Sequence, residues 1–155
     1  MDVAQFMATQ PNARLATRAD NDRLLAFYRK MSMVGGAFNI QFVKDPDYFR
    51  YLDYEGKKHF VLAVENREGE MEGMGAVVAR SCYLGGKPDE VAHFSDLRFV
   101  HSKKRTAPFD WKEFMYEFCK VGHTIKEIEG TVTFLGSFVL ANEFARRAFT
   151  SLKTP

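Results

Sequence analysis

Three strand-like segments in the middle of the chain, residues 59–65, 74–84 and 91–100, constrain the fold more than any other feature. All three are rich in apolar and β-branched residues, and the turn-forming sequences NREGEMEG and GGKPDE separate them. Because strands joined by short turns pair in opposite directions, we expect an antiparallel three-stranded unit. Alternation along the third segment predicts two faces, one with His93, Ser95, Leu97 and Phe99, the other with Phe94, Asp96, Arg98 and Val100.

On the N-terminal side of this unit the sequence predicts one short strand and two helices. The strand is ARLAT (13–17), after which Asp20 is expected to cap a helix with apolar residues at helical spacing, Leu24, Phe27, Tyr28 and Met31. A glycine pair and Pro46 then interrupt the periodicity. This interruption predicts a loop near 33–45 and a second short helix around 47–53.

On the C-terminal side, residues spaced i, i+3, i+4, i+7 and i+8 predict a helix that lies on the sheet: Trp111, Phe114, Met115, Phe118 and Cys119. Thr106 or Asp110 is its expected N-cap. The segment 130–140 predicts another strand, and an apolar stripe within 141–152 predicts a last helix. The order is β-α-α-β-β-β-α-β-α, an α/β (α+β) fold in which helices flank a mixed, mostly antiparallel central sheet.

Composition and charge narrow the class of protein. With 155 residues, 46% of them apolar, the chain is long enough for one domain with a core, so we expect a single domain over 1–155. A net charge of +2 disfavours a surface that coats nucleic acid. No apolar run approaches the roughly 20 residues that span a bilayer, and the first residues lack a signal-peptide pattern. We therefore expect a cytoplasmic protein without a membrane partner, with Cys82 and Cys119 as core thiols.

A basic run, Lys103, Lys104 and Arg105, lies in the stretch LRFVHSKKRTAPF (97–109), between the third strand of the unit and the next helix. Three interpretations stay open: a phosphate site, a nucleic-acid contact or a solvated loop. The first N–H groups of a helix lack intrahelical acceptors and favour a bound anion, which supports the phosphate site. Nucleic-acid binding, which would also use Arg146 and Arg147, is disfavoured by the low net charge.

The element order, this basic turn and the later sequence VLANEFARRAF (139–149) together resemble the GNAT superfamily of acyl-CoA-dependent N-acetyltransferases, over about residues 13–152. In that family the turn R/Q-x-x-G-x-G/A cradles the pyrophosphate of coenzyme A with its backbone N–H groups. The resemblance implies a cofactor site at Phe99, Val100, His101, Lys103, Lys104, Arg105, Thr106 and Ala107. The motif's glycines are missing in either alignment of this turn, so a weakened or reshaped phosphate site is expected.

The resemblance also assigns roles to two residues near the end of the chain. Asn142 matches the asparagine that holds the pantetheine arm, although an asparagine there also suits a helix N-cap. Phe149 replaces the tyrosine that usually protonates the leaving thiolate, and phenylalanine has no proton to give. Either another group or solvent supplies this proton, or the domain binds acyl-CoA without turning it over.

Candidate general bases for an amine acceptor are Glu90, His93 and Asp96, and His93 and Glu90 are the predicted catalytic residues. Histidine has the most suitable ordinary pKa, about 6.5. Structural alternatives stay open, since a strand histidine can simply pack and Asp96 can pair with Arg98. The remaining histidines show no metal-ligand spacing, so no metal cofactor is predicted.

The sequence thus predicts an N-acetyltransferase that uses acetyl-CoA or another acyl-CoA, with an unidentified amine acceptor near the loop 33–45. The amine would attack the thioester directly while strand N–H groups near Phe99 and Val100 polarise it. The alternative is a catalytically degenerate acyl-CoA-binding or protein-interaction domain. The family pattern continues with further strands after the last helix, whereas this sequence ends at SLKTP. We expect an additional domain, a homodimer or a rearranged terminus to replace those strands.

Overall fold

The structure, a computed structural model, describes residues 1–31, 33–34, 39–100, 104–128, 131 and 133–137. Its strands are β1 (Ala13–Ala16), β2 (Met33–Val34), β3 (Asn39–Ile40), β4 (Lys58–Glu65), β5 (Met71–Leu84), β6 (Lys87–Phe99) and β7 (Thr133–Gly136). One five-stranded sheet has the order β1-β4-β5-β6-β7, and β2 pairs with β3. Neighbours from β1 to β6 are antiparallel, whereas β6 and β7 run parallel. The predicted mixed, mostly antiparallel sheet is confirmed.

The described helices are α1 (Val3–Met7), α2 (Asn21–Lys30), α3 (Tyr48–Glu55) and α4 (Trp111–Val121), with 3-10 helices at Arg18–Asp20, Gly122–Thr124 and Lys126–Ile128. The prediction of Asp110 as the N-cap of α4 is confirmed, because its carboxylate accepts from the backbone N–H of Lys112 at 2.8 Å. Helix α1 was not predicted. It begins at a capping box, in which Gln5 N donates to Asp2 Oδ1 at 2.8 Å and Asp2 N donates to Gln5 Oε1 at 2.9 Å.

Asp20 stands at the N-cap position of α2, but its carboxylate does not cap that helix. It accepts from the backbone N–H of Thr17 at 2.8 Å and pairs with Arg14 at 2.7 Å. Arg14 also pairs with Glu65 at 2.7 Å, which ties β1 to the end of β4. The predicted cap is wrong because a cationic donor on the neighbouring strand competes for the same oxygens.

Two apolar layers lie on opposite faces of the sheet. The first packs α1 and α4 on it and is largely aromatic, with Phe6, Phe60, Phe94, Phe114 and Phe118 at its centre. The second packs α2 and α3 on the other face and includes Leu24, Tyr28, Tyr48, Leu52, Met74 and Val78. Burial of both faces fixes the register, because a slip of one residue would exchange the two sets of side chains.

A two-residue turn joins β5 to β6. Gly85 and Gly86 have φ values of 56° and 79°, and Leu84 pairs with Lys87 across them. Positive φ at both positions is the geometry that glycine permits in a tight hairpin. The predicted hairpin is confirmed, but the turn is shorter than the sequence GGKPDE, since β6 already begins at Lys87.

A bulge in β6 changes the predicted faces of that strand. Ala76 pairs with Ser95 and Met74 with Arg98, so Gly75 faces two residues, and Asp96 has a φ of 56°. The extra residue reverses the alternation beyond it. Leu97 and Phe99 therefore pack in the same layer as Phe94, whereas Asp96 and Arg98 lie on the side of Tyr28. The predicted division of β6 into two faces is wrong from residue 96 onwards.

Three further predictions concern single features. The two cysteines are free, with Cys82 half-buried and Cys119 exposed, so their prediction as core thiols is wrong. Among the helices that the structure describes, none is both long enough and apolar enough to cross a bilayer. The predicted last helix within 141–152 lies outside the described residues.

Candidate functional site

Among the described residues, the pairing of β6 with its parallel neighbour β7 ends before β6 itself does. Pairing between the two strands runs from Val91 opposite Thr133 to Phe94 opposite Gly136, whereas β6 itself continues to Phe99. Within the described residues, the last part of β6 therefore has no partner in β7. The bulge at Asp96 lies in this part of β6, which pairs with β5 but has no described partner in β7. Bulges commonly redirect side chains beside binding sites.

Asp96 is the centre of a buried polar cluster on the α2–α3 face. Its Oδ1 accepts from the hydroxyl of Tyr28 at 3.2 Å, and its Oδ2 accepts from the hydroxyl of Tyr48 at 2.8 Å. The ammonium of Lys44 forms an ion pair with the same Oδ2. The side chain of Lys44 is only 3% exposed and that of Asp96 9%, so the two charges lie almost entirely out of solvent.

Aromatic rings complete the surroundings of Lys44. Its Nζ lies 4.0 Å from the ring centroid of Tyr51, 4.9 Å from that of Tyr48 and 5.3 Å from that of Tyr28. These distances are within the range of cation–π attraction. We call Asp96 with Tyr28, Tyr48 and Tyr51 the tyrosine cage. Helix α2 supplies the first tyrosine, and successive turns of α3 supply the other two.

The tyrosines of the cage remain protonated over an extended pH range. Burial and the negative charge of Asp96 raise the pKa of Tyr28, and burial raises the pKa of Tyr48 well above its ordinary value. Burial also raises the pKa of Tyr51. Because Tyr28 and Tyr48 keep their protons, both can donate to the carboxylate of Asp96 and hold it in one orientation.

His93 lies before the bulge, on the same face of the sheet as the cage. Burial and the positive charge of Arg80 lower its pKa, while Glu55 and Asp96 act in the opposite direction. Its Nδ1 is buried without a partner among the described residues, and its Nε2 lies 3.5 Å from the hydroxyl of Ser137. A lowered pKa keeps the imidazole neutral at neutral pH, which is the form that accepts a proton.

Glu90 is not part of this cluster. It shares the strand face of Ala92 and Phe94, opposite to that of His93, and its carboxylate accepts from the hydroxyl of buried Thr131 at 3.0 Å. The structure therefore does not bring together the two predicted catalytic residues. No set of three or more His, Cys, Asp and Glu side chains within the described ranges could hold a metal ion.

Glu72, a buried residue of β5, forms hydrogen bonds with the basic turn. Its carboxylate accepts from the backbone N–H groups of Thr106 and Ala107, each at 2.8 Å, and from the hydroxyl of Thr106 at 2.7 Å. The backbone N–H of Val100 donates to the main-chain carbonyl of Glu72 at 2.9 Å. Three of the N–H groups predicted to face a cofactor thus have internal partners.

The start of α4 is likewise satisfied from within the chain, because Asp110 accepts from the backbone N–H groups of Lys112 and Glu113 at 2.8 and 3.2 Å. The two described basic side chains of the turn have different surroundings. Lys104 is exposed, and the guanidinium of Arg105 lies 5.9 Å from the ring centroid of Phe99. Phe99 itself stacks on Phe109 with centroids 6.0 Å apart, so this partly buried ring packs against the core beside the turn.

Other predicted site residues, His101, Lys103, Asn142 and Phe149, lie outside the described residues. The residues that sequence reasoning missed are Lys44, Tyr48, Tyr51 and Glu72. Glu72 belongs to the sequence interpreted as a polar turn, and Tyr28 was assigned only to an apolar helix stripe. Local patterns offered no signal for the cage, since Lys44 and Asp96 are 52 residues apart.

Comparison with known proteins identifies the fold. No protein-family model and no curated protein matches the chain. Glucosamine-6-phosphate N-acetyltransferase from Arabidopsis thaliana matches with a TM-score of 0.54 at 18% identity, over 92% of each chain. An aminoglycoside 6'-N-acetyltransferase from Acinetobacter baumannii matches with a TM-score of 0.58 at 12% identity, over 93% of this chain and 90% of that chain.

A predicted acetyltransferase with acetyl-CoA from Clostridium acetobutylicum is similar to the same extent. Its TM-score is 0.58 at 10% identity, over 92% of this chain and 90% of that chain. All three likenesses extend over nearly the whole length of this chain. The protein therefore has the GNAT fold, and the resemblance seen in its sequence is confirmed at the level of the fold.

Proposed function

We propose that this protein is an acyltransferase that moves an acyl group from an acyl-CoA to an amine. The observation that carries the proposal is that, within the described residues, the pairing of β6 with β7 ends at Phe94, immediately before the bulge at Asp96. An open strand edge offers backbone groups to a ligand that carries amides, as the pantetheine arm does. The solved neighbours named as acetyltransferases, one of them with acetyl-CoA, support this assignment.

In the proposed reaction, a neutral amine attacks the thioester carbonyl, a carbon–nitrogen bond forms and the carbon–sulfur bond breaks. His93 accepts the proton that the amine loses, because burial and Arg80 lower its pKa and so leave the imidazole unprotonated before the reaction. Coenzyme A leaves as the thiolate and takes a proton from solvent or from another group, because Phe149 has none to give. Glu90 has no part in this step, because it lies on the other face of β6.

In the described part of the turn, backbone N–H groups that the resemblance places on the cofactor are already engaged within the chain. The backbone N–H groups of Thr106 and Ala107 already donate to Glu72, and those at the start of α4 donate to Asp110. We therefore assign phosphate binding to two side chains of the turn, exposed Lys104 and half-buried Arg105. Side chains bind phosphate as separate charges and give weaker positioning than a backbone cradle.

The same carboxylates favour a second candidate function, a domain that retains the fold without catalysis. Two internal anions at the places expected for phosphates weaken the cofactor site, and Phe149 removes the usual proton donor. Such a domain would bind acyl-CoA without turnover or would serve as an interaction module. Release of the coenzyme A thiol would distinguish an enzyme from both of these non-catalytic domains.

The test is an assay of thiol release from acetyl-CoA in the presence of a panel of primary amines, with mass spectrometry of the acylated product. We expect release that depends on both substrates and falls about 100-fold in His93→Gln, the lower end for loss of a general base. Lys87→Gln, an exposed change at the start of the same strand, is the matched control. No release above the rate without protein, for any amine and acyl chain, would refute acyl transfer.

A further inference from the structure

The occupant of the tyrosine cage is an amine of the chain itself. We propose that the cage is the acceptor site of the reaction, that it takes the primary ammonium end of an alkyl chain, and that Lys44 fills it as an internal stand-in. The role of the cage as an acceptor site rests on the proposed function. The ammonium site itself stands on contacts that are independent of any cofactor.

Burial explains why the cage selects an ammonium ion. A charged amine is stable out of water only when other charges and dipoles replace its hydration. Here one carboxylate and three aromatic rings do so, while Tyr28 and Tyr48 orient the carboxylate through their hydroxyls. Lys44 carries its ammonium into the cage on a side chain of methylene groups, so the recognised unit is a methylene chain that ends in a compact cation.

The position of the cage relates it to the proposed acyl-CoA site. Asp96 lies two residues beyond Phe94, the last residue of β6 that pairs with β7. His93 lies on the same face of the strand, and the charge of Asp96 acts on its pKa. An amine bound at Asp96 therefore lies on the face of β6 that carries the candidate base, near the end of the described pairing of β6 with β7. The bound ammonium first releases one proton to solvent, and the neutral amine then attacks the thioester and gives its second proton to His93.

Withdrawal of the segment that carries Lys44 would break its polar contacts with α2, which are the ion pair of Asp45 with Arg29 and the hydrogen bond of 3.0 Å from Asn21 to the carbonyl of Pro46. The segment connects β3 to α3 without regular structure, and its side chains Phe42 and Val43 are 53% and 76% exposed. A surface groove runs along it, lined by residues that include Val43, Asp45, Tyr51 and Tyr54. Movement of this segment away from the groove would open the cage to solvent, because Tyr51 belongs to both.

The test removes the internal amine and supplies an external one. In Lys44→Ala the deleted atoms are three methylenes and an ammonium group, which n-propylammonium reproduces. We expect the melting temperature of this variant to rise by about 2–4 °C when n-propylammonium is several-fold above its dissociation constant, and not to rise with 1-propanol. The unaltered protein and Lys44→Met, in which a neutral chain fills the cage, should not respond.

Any of three results would overturn the proposal. The first is an equal response of Lys44→Met, which would indicate a general effect of the salt. The second is an unchanged response after Asp96→Asn is added to Lys44→Ala, since the carboxylate is the charge that holds the amine. Should Lys44→Ala fail to fold in plain buffer, refolding is repeated with n-propylammonium. Failure to recover a cooperative transition then counts against the proposal in the same way.

The acceptor role has its own measurement. In the thiol-release assay, removal of the internal competitor in Lys44→Ala should lower KM for alkyl primary amines at least tenfold and leave KM for aniline unchanged, because only the alkylamine replaces Lys44. Equal KM changes for both amines would refute the acceptor role. The melting experiment contains no coenzyme A. A rise in melting temperature with n-propylammonium, without thiol release in the assay, would therefore refute the proposed function but still support the cage as an ammonium site.

Discussion

The carboxylate of Glu72 accepts a hydrogen bond of 2.8 Å from the backbone N–H of Ala107, a group that the sequence led us to expect on a phosphate. Thr106 donates to the same carboxylate through its backbone and its hydroxyl. The chain thus places a fixed anion beneath the basic turn. The carboxylate thus gives the backbone N–H groups of Thr106 and Ala107 a hydrogen-bond acceptor. In the proposed cofactor site, the basic side chains would therefore bind the phosphates without help from these N–H groups.

Glu72→Gln should destabilise the protein. An amide is a weaker acceptor than a carboxylate, and it also presents donors to the N–H groups of Thr106 and Ala107. We expect a loss of about 1–3 kcal/mol in the free energy of unfolding, the scale for a buried group whose hydrogen bonds are disturbed. Urea denaturation measures it, with Glu68→Gln, an exposed carboxylate in the turn before β5, as the control. Equal stability of the two variants would show that Glu72 does not hold the turn.

The contribution of Glu72 should depend on pH. Burial raises its pKa, but the hydrogen bonds from Ala107, Thr106 and Asn66 outweigh this and lower the pKa below the ordinary 4.5. A carboxyl whose pKa is lower in the folded state stabilises the fold above its unfolded pKa, and this stability is lost as the pH falls through the folded pKa. The difference between the unaltered protein and Glu72→Gln should therefore shrink below about pH 4.5. A constant difference from pH 7 to pH 3 would contradict this.

The ion pair of Lys44 and Asp96 should show strong coupling. Lys44→Met leaves a buried carboxylate without its cation, which costs about 3–5 kcal/mol. The double variant Lys44→Met/Asp96→Asn removes both charges, so its loss of stability should be smaller than the sum of the two single losses. A double-mutant cycle by chemical denaturation provides the coupling energy. Simple additivity would mean that the two charges do not stabilise each other.

His93 should titrate below the ordinary histidine pKa. The folded state then binds fewer protons than the unfolded state near pH 6, so this group reduces stability as the pH falls through about 6.5. NMR titration of the imidazole measures the pKa directly. Arg80→Gln removes the positive charge beside the ring and should raise the pKa, whereas Arg67→Gln, an exposed change in the turn before β5, should leave it unaltered. An ordinary pKa in the unaltered protein would contradict the effect of burial and of Arg80 on the ring.

Much of the sheet could be predicted because its determinants are local. Each of the three central strands combines β-branched residues with a nearby turn signal, and the glycine pair at 85–86 needs no tertiary information. Helix α1 was missed because five residues are too short to show helical periodicity. Its capping box, Asp2 and Gln5, was the available signal.

The candidate site could not be predicted to the same extent because its determinants are tertiary. The bulge places an aspartate at positive φ, where glycine would have signalled an irregular strand, and one extra residue moves Asp96 to the face of Tyr28. Alternation alone cannot reveal that shift. Lys44 and Glu72 find their partners 52 and 35 residues further along the chain. Such pairs become visible only once the strands are placed.

Binding of coenzyme A is the claim on which the account depends most, since both the enzyme and the non-catalytic acyl-CoA-binding domain require it. Calorimetric titration of the unaltered protein tests it directly. We predict saturable binding that weakens by about 1–3 kcal/mol in Lys104→Gln/Arg105→Gln, through loss of charge-assisted contacts to the phosphates. Lys57→Gln/Lys58→Gln removes the same charge from exposed residues at the start of β4 and should leave binding unchanged. No binding by the unaltered protein at millimolar coenzyme A would contradict the account.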